Sequence, residues 1–493
     1  MDITLLRSFS TTRRIKTGTW SKQQPVFASA FAPCIKACPL ETDVPALVEL
    51  ILKGMIKEAA LSIMNINPFP FITSRVCPAF CMSHCNRGEY DEAVNTKGIE
   101  GFLGNVILEE KLFPPKEGYD GERVAVIGSG PAGLTYAWFS SLKGNRVVVF
   151  EEKTEPGGLL YWGIPKHRLP KELVAEAVKR LEEIGVRFEV GRSIFPEDLE
   201  ALKSEFDRVV FAGGLTEPRI PDIPGVEKAL VGIRVLEEYN TKGLLPEGKD
   251  FVVIGGGNVA VDVAICLLKN RRSVTLVCVE SENDMPAFRE EVEEAKDLGL
   301  SIKDGTACTL IEKINGKIKV KLAEVEVIGE EKGWKTTRIV KEGGTLTADA
   351  VIVATGQKRR FDEVDAECIG DYKLGPSTVA EAMASARRAI MASTIKRDRE
   401  EIISFDSLNL FYFEKSPRVR QIGNLEDLQR EASRCFSCGY CNGCGNCWTF
   451  CPDVAVLLDE NGKPILDRDH CKGCGICEEE CPRAVVILKP KAT

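Results

Sequence analysis

RVAVIGSGPAGL (residues 123–134) runs from a short apolar strand through a glycine turn into a helix, and its reading decides the fold. The helix LTYAWFSSLKG ends at Gly144, and RVVVFE follows as a second strand closing on Glu151. Gly128 permits the tight turn, Gly130 lets backbone approach a pyrophosphate, and Gly133 lets the helix pack on the strand. Glu151 is placed to accept hydrogen bonds from a ribose. The same order recurs at 250–280 as DFVVIG, GGNVA, VDVAICLLKN and SVTLVCVE. Its loop holds Gly255, Gly257, Asn258, Val259 and Ala260, with Asp262 two residues further on and Glu280 ending the strand. Two such units predict an α/β chain with two Rossmann-like dinucleotide-binding domains built on parallel sheets. ADAVIVATGQ (348–357), which contains Gly356, reads as a late strand returning to the first sheet.

Composition narrows the class. At 493 residues the chain has room for about three domains. Lys+Arg 65 against Asp+Glu 73 gives a net charge of −8, which argues against a nucleic-acid binder. No run of 18 apolar residues suggests a membrane span. The 19 cysteines cluster at 34–85 and 435–481 with C-x-x-C spacing and frequent Cys-Pro, which favours metal ligation in a reducing cytoplasm over a disulfide scaffold. Residues 7–16 (RSFSTTRRIK) carry the Arg/Ser flavour of a transit peptide, with Asp2 against it.

Near the C-terminus, Cys441, Cys444, Cys447 and Cys451-Pro452 give C-x2-C-x2-C-x3-C-P, and Cys471, Cys474, Cys477 and Cys481-Pro482 repeat it. In this bacterial-ferredoxin pattern the fourth cysteine of each run ligates the other run's cluster. One 4Fe–4S cluster is therefore expected on Cys441, Cys444, Cys447 and Cys481, and a second on Cys471, Cys474, Cys477 and Cys451. A third set, Cys38, Cys77, Cys81 and Cys85, is less regular and suits another cubane, with zinc or plain thiols as alternatives. Cys266, Cys278, Cys308 and Cys368 lie in apolar patterns and read as core packing.

CIKACP, the VCPAFC…C run, GSGPAGL, GGLLYWGIPKHRLP, GGGNVAVDVA and ATGQ followed by GDYKLGPSTVAEAMASARRAI together resemble the small subunit of glutamate synthase and its relatives, including the N-terminal half of dihydropyrimidine dehydrogenase. The resemblance implies FAD in the first domain and a nicotinamide nucleotide in the second. It places flavin contacts on Gly128, Gly130, Pro131, Ala132, Gly133, Glu151, Gly158, Leu159, Arg168, Gly370 and Asp371. Relatives carry two arginines for the 2′-phosphate of NADPH where this chain reads Val277-Cys278-Val279-Glu280-Ser281, so the resemblance implies NAD here. The family also has an upstream R-C-x2-C pair that shares a cluster with the position of Cys34 and a Gln or Glu. No cysteine precedes Cys34, but EASRCFSC (431–438) resembles the missing motif, which suggests a fourth cluster on Cys34, Cys435, Cys438 and Glu100.

CNGCGNCWTFCPDVAV…GKPILDRDHCKGCGICEEECP and TGTWSKQQPV resemble the ferredoxin-type delta subunit of 2-oxoacid:ferredoxin oxidoreductases. That resemblance implies partner subunits with a thiamine-diphosphate core, or ferredoxin. The expected domains are an extension at 1–33, a helical iron–sulfur domain at 34–120, and an FAD domain at 121–225 and 346–400. An NAD(P) domain at 226–345, a connector at 401–434 and a 2[4Fe–4S] ferredoxin domain at 435–493 complete them. The expected activity is electron transfer between NAD(H), FAD and three to four clusters. Hydride exchange between nicotinamide and flavin needs no acid–base triad, in keeping with only His84, His167 and His470 in the chain. The alternative is an NADPH-dependent glutamate-synthase-like or electron-bifurcating subunit.

Overall fold

The computed structural model describes residues 15–118, 120–331, 334–391 and 395–491; the transit-peptide-like stretch lies outside them up to residue 14. Contacts divide the chain into two compact units, residues 115–390 and residues 1–114 with 391–493. Among the described residues no helix is long and apolar enough to cross a membrane.

Unit 115–390 holds both nucleotide folds. Its first sheet is wholly parallel, in the order Glu367–Cys368, Arg208–Phe211, Arg123–Ile127, Arg146–Phe150, Arg187–Glu189. The central strands bury Val124, Ala125, Val126, Val147 and Val149 on both faces, as a sheet covered by helices requires. The second parallel sheet runs Ser301–Lys303, Ser273–Val277, Asp250–Ile254, Ala350–Val353, Leu230–Val231. The strand 350–353 therefore joins the second sheet, beside Phe251–Ile254, and does not return to the first. Only the chain beyond it does so, through Glu367–Cys368. A four-residue apolar strand carries no mark of which parallel sheet it will join. A three-stranded antiparallel sheet (Thr306–Ile314, Lys317–Glu331, Trp334–Ala348) packs on the second domain through Ile311, Val320 and Leu322.

The other unit joins segments far apart in sequence. Gln23–Phe27 pairs antiparallel with Val486–Pro490. The helices Val44–Leu52, Ile56–Met64, Pro70–Val76 and Thr96–Glu109 form a bundle, with Asp43 capping the first through Ala46 N and Pro45 in its first turn. The expected connector contains the helix Leu425–Ser433, which buries Leu428, Glu431 and Ala432 and packs on this bundle. Its polar sequence hid that role, because its inward Glu431 and the Arg434 that follows the helix are both charged. Arg434 bonds Glu431 at 2.7 Å and Asp91 at 3.1 Å, Arg87 bonds Asp91 at 2.5 Å and the Arg434 carbonyl at 2.6 Å, and Glu431 also accepts from Asn95 N and Val419 N. Arg87 and Arg434 are each 2% exposed and Glu431 is 0% exposed. A buried network of this kind stands only while every member is partnered.

Replacing Arg434 with Met takes from Glu431 its guanidinium partner and from Asp91 one of its two. The expected loss is about 3–5 kcal/mol of stability in this unit. Urea unfolding followed by protease susceptibility at residues 1–114 checks it; a midpoint equal to that of the unaltered protein contradicts the role given to the network.

Candidate functional site

The first glycine loop is held by close backbone approach. A Cβ on Gly133 would collide with the Gly128 carbonyl oxygen, and one on Gly128 would stand 2.6 Å from the Ala212 carbonyl oxygen. Gly158 (φ +51°) and Gly370 (φ +64°) close in from outside, their hypothetical Cβ atoms 2.7 Å from Gly130 Cα and Ala132 Cβ. Pro131 and Ala132 open the helix Pro131–Leu142, whose N-cap is Gly130; Leu159 opens the short helix after Gly158. A Cβ on Gly130 would meet no atom within 4 Å. Glu151 is buried and accepts from Ser129 N at 3.1 Å, Ser129 Oγ at 2.5 Å and Lys153 N at 2.9 Å. Burial pushes the Asp371 carboxyl up to about 6, opposed by the Ser377 hydroxyl.

The second loop is built alike. Gly255 (φ +135°) crowds the Ala354 carbonyl, Gly257 caps the helix Asn258–Lys269 and faces clear space, and Ala260 is fully buried. Asn258 Oδ1 accepts from Phe288 N at 2.8 Å, while Val259 lies near Gly232. A Cβ on Gly256 would stand 2.9 Å from Glu280 Oε2, so this carboxylate lies over the glycine loop. The Gly356 carbonyl accepts from Arg219 N at 2.9 Å, beside the pairing of Gln357–Lys358 with Glu217–Pro218. Arg168, expected at the flavin, instead gives its guanidinium to Asp262 (2.8 and 2.9 Å) and Glu291 of the second domain. Two buried carboxylates attract that charge more strongly than a sequence motif reveals.

Fifteen of the nineteen cysteines lie in the other unit, Cys266, Cys278, Cys308 and Cys368 being in unit 115–390, and all nineteen are free thiols. Cys441, Cys444, Cys447 and Cys481 line one cavity of about 410 Å³, counted to its open mouth. Cys451, Cys471, Cys474 and Cys477 line a second of about 320 Å³. Each cavity thus draws three cysteines from one repeat and the fourth from the other. Burial pushes the Cys447 and Cys477 thiols up to about 12, with the neighbouring cysteines reinforcing it.

The N-terminal cysteines divide differently from the sequence expectation. Cys38, Cys77 and Cys81 lie within electrostatic reach of Glu100, and burial pushes Cys77 and Cys81 up to about 12 and Glu100 up to about 7. Cys34 instead is acted on most by Cys85, Cys435 and Cys438, and least by Cys81. Cys85 and Glu100 therefore exchange places, because residues 96–109 form a helix that turns Glu100 towards Thr73 and Asn67. Among the described residues no three His, Cys, Asp or Glu side chains lie close enough for one metal ion; a cubane holds its ligands further apart, at its corners.

One signal escaped sequence reading. Ala79 N donates to Cys77 Sγ (3.4 Å), Ser437 N to Cys435 Sγ (3.4 Å), Ala455 N to Cys451 Sγ (3.2 Å) and Val485 N to Cys481 Sγ (3.3 Å). Each turn contains a non-glycine residue with positive φ, namely Ala79 (60°), Ser437 (51°), Val454 (53°) and Ala484 (55°). Such strain persists only where the surroundings over-determine it, and amide donors to sulfur tune cluster potentials.

This arrangement defines an oxidoreductase with two dinucleotide sites in one unit and iron–sulfur ligands in the other. Residues 122–298 match the pyridine nucleotide-disulphide oxidoreductase family, 27–112 the dihydropyrimidine dehydrogenase domain II 4Fe-4S cluster family, and 464–486 the 4Fe-4S binding domain family. The PreT subunit of NAD-dependent dihydropyrimidine dehydrogenase from Escherichia coli O157:H7 is 32% identical over 67% of this chain and 78% of its own. The YgfK oxidoreductase of Escherichia coli (strain K12) is 30% identical over 89% of this chain and 48% of its own. The beta subunit of NADP(+)-dependent formate dehydrogenase from Moorella thermoacetica is 28% identical over 73% and 59%. The chain thus spans about half the length of YgfK. It belongs to the family of PreT, and is an electron-transfer flavoprotein that uses pyridine nucleotide and carries 4Fe–4S clusters.

Clear space at Gly130 and collision at Gly133 separate two effects. Gly130→Ala should leave the melting temperature unchanged and cut flavin retention about tenfold or more, whereas Gly133→Ala should lower both. The flavin-to-protein absorbance ratio and calorimetry read the two quantities; equal flavin content in all three proteins contradicts the assignment.

Asp371 gives a pH dependence. Its folded value of about 6 lies above its unfolded value of about 3.9. It therefore adds stability that is fully present below about pH 4 and lost as pH rises through 6. In flavin-free protein, Asp371→Asn should melt higher than the unaltered chain at about pH 7.5, with the gap shrinking by about pH 5. Calorimetry at both values decides it, and a gap independent of pH refutes it.

Proposed function

We propose that this chain is the NAD-linked flavoprotein subunit of a cytoplasmic, multisubunit 2-oxoacid:acceptor oxidoreductase. The observation that carries the NAD assignment is Glu280, whose carboxylate lies over the second glycine loop beside Gly256. There it can accept from both ribose hydroxyls of NAD and repels the extra phosphate of NADP. Val277-Cys278-Val279-Glu280-Ser281 offers no arginine at this strand end. The second loop thus orients the nicotinamide nucleotide, and the first loop, with Glu151, Gly158, Gly370 and Asp371, holds FAD. The bound flavin supplies the exchange between a two-electron hydride donor and one-electron clusters.

The 2-oxoacid partner is supported by the ferredoxin part. TGTWSKQQPV and the cysteine repeats resemble a delta subunit, and Gln23–Phe27 pairs with Val486–Pro490, so these distant segments make one unit. Gly18 N donates to Asp469 O and Thr17 Oγ1 to His470 O, fixing the N-terminal segment against the second repeat. In this reading Cys441, Cys444, Cys447 and Cys481 hold one cubane, and Cys451, Cys471, Cys474 and Cys477 another. Cys38, Cys77 and Cys81 hold a third, with Glu100 as its fourth ligand. Nineteen free thiols support a reducing compartment.

Anaerobic titration tests the assignment. NADH should bleach the flavin at least about tenfold faster than NADPH, and Glu280→Gln should narrow that preference by about 1.4 kcal/mol. Faster bleaching by NADPH would return the chain to a glutamate-synthase-like role.

A further inference from the structure

We propose that Cys34 and Cys85 from the N-terminal segment and Cys435 and Cys438 from the C-terminal segment bind one 4Fe–4S cluster, a site whose two halves lie about 350 residues apart in the sequence.

The backbone brings the halves together independently of any charge argument. Ala30 N donates to Gly439 O at 2.9 Å, one residue beyond Cys438. Asn86, the neighbour of Cys85, donates through Nδ2 to Cys438 Sγ at 3.5 Å and to Ile403 O at 2.9 Å. Arg87 Nη1 reaches the carbonyl of Arg434, the residue before Cys435, at 2.6 Å. The four thiols therefore converge because two polypeptide segments are fastened on either side of them.

The donor set suits a cubane. Cys34 and Cys438 are buried, and Cys34 lies within reach of the other three. None forms a disulfide. The turn at Cys435 also repeats the turn at Cys77: in both, the amide two residues on donates to sulfur at 3.4 Å from a left-handed residue, Ser437 or Ala79. Cys451 and Cys481, which line the ferredoxin cavities, carry the same kind of amide donor. Cys435 is thus shaped as a ligand, and nothing in a plain core thiol requires that strain.

The site also occupies a middle position. Cys34 stands four residues from Cys38, Cys85 four from Cys81, and Cys438 three from Cys441. Those links allow at most about 14 Å of extended chain between neighbouring ligand sets. A cluster held by Cys34, Cys85, Cys435 and Cys438 would thus stand in sequence between the Cys38, Cys77, Cys81 ligands and the ferredoxin ligands, where it would supply one-electron exchange with either.

Iron and flavin are measured together, because flavin binds in the other unit and serves as an internal count of chains. The double variant Cys435→Ser/Cys438→Ser should lose one cubane's iron per flavin, Cys34→Ser the same amount, and the triple variant no more than either. An unchanged iron-to-flavin ratio in the double variant, or additive losses in the triple, overturns the site. A second measurement needs no variant. In the iron-replete chain Cys34, Cys85, Cys435 and Cys438 should resist iodoacetamide and become labelled after oxidative chelation of iron, while Cys266 stays unlabelled throughout. Labelling of Cys435 and Cys438 before chelation, or its absence afterwards, equally overturns it.

Discussion

The buried contact among Arg87, Asp91, Glu431 and Arg434 is the constraint on which the iron–sulfur unit depends. It joins the residues after Cys85 to the residues before Cys435 with two guanidinium groups that solvent does not reach. Because charges so enclosed tolerate no loss of a partner, the two segments have one register and no neighbouring alternative. Asn95 and Val419 add their amides to Glu431, so helix, loop and C-terminal segment meet at one carboxylate. A hydrophobic contact would tolerate a slip of an ångström. This network does not, and that rigidity is what cofactor ligands require.

The nucleotide unit meets its demand by different means. Its loops are fixed by absence of side chains: Gly128, Gly133 and Gly255 sit where a Cβ would strike a carbonyl. Gly130 and Gly257 face open space instead, so the same residue type serves packing at some positions and ligand access at others. Arg168 with Asp262 and Glu291 ties the 165–171 turn to the second domain, an ionic fastening within the flavin and nicotinamide module.

Local features were legible in the sequence. Both glycine loops are contiguous signals, and so are the two cysteine repeats, whose exchange of fourth ligands follows from the repeat itself. What the sequence hid was long-range. AVIV at 350–353 fits either parallel sheet equally well, and only pairing with Phe251–Ile254 decides it. Cys85 and Glu100 trade partners because a helix presents Glu100 towards Thr73, and no spacing rule records that rotation. Leu425–Ser433 looks like a solvated linker since its inward Glu431 and following Arg434 neutralise each other only when Asp91 arrives from another segment.

The pairing of Gln23–Phe27 with Val486–Pro490 bears on the order in which the protein can fold during synthesis. A ribosome adds roughly 5–20 residues per second, so the first of these strands waits on the order of tens of seconds for its partner. Residues 115–390 emerge in between and can complete their fold while the N-terminal strand still exposes an unpaired edge. The union of these two strands therefore follows the emergence of residues 115–390, and the sulfur ligands of residues 435–481 join those of residues 34–85 only after the nucleotide-binding unit has left the ribosome.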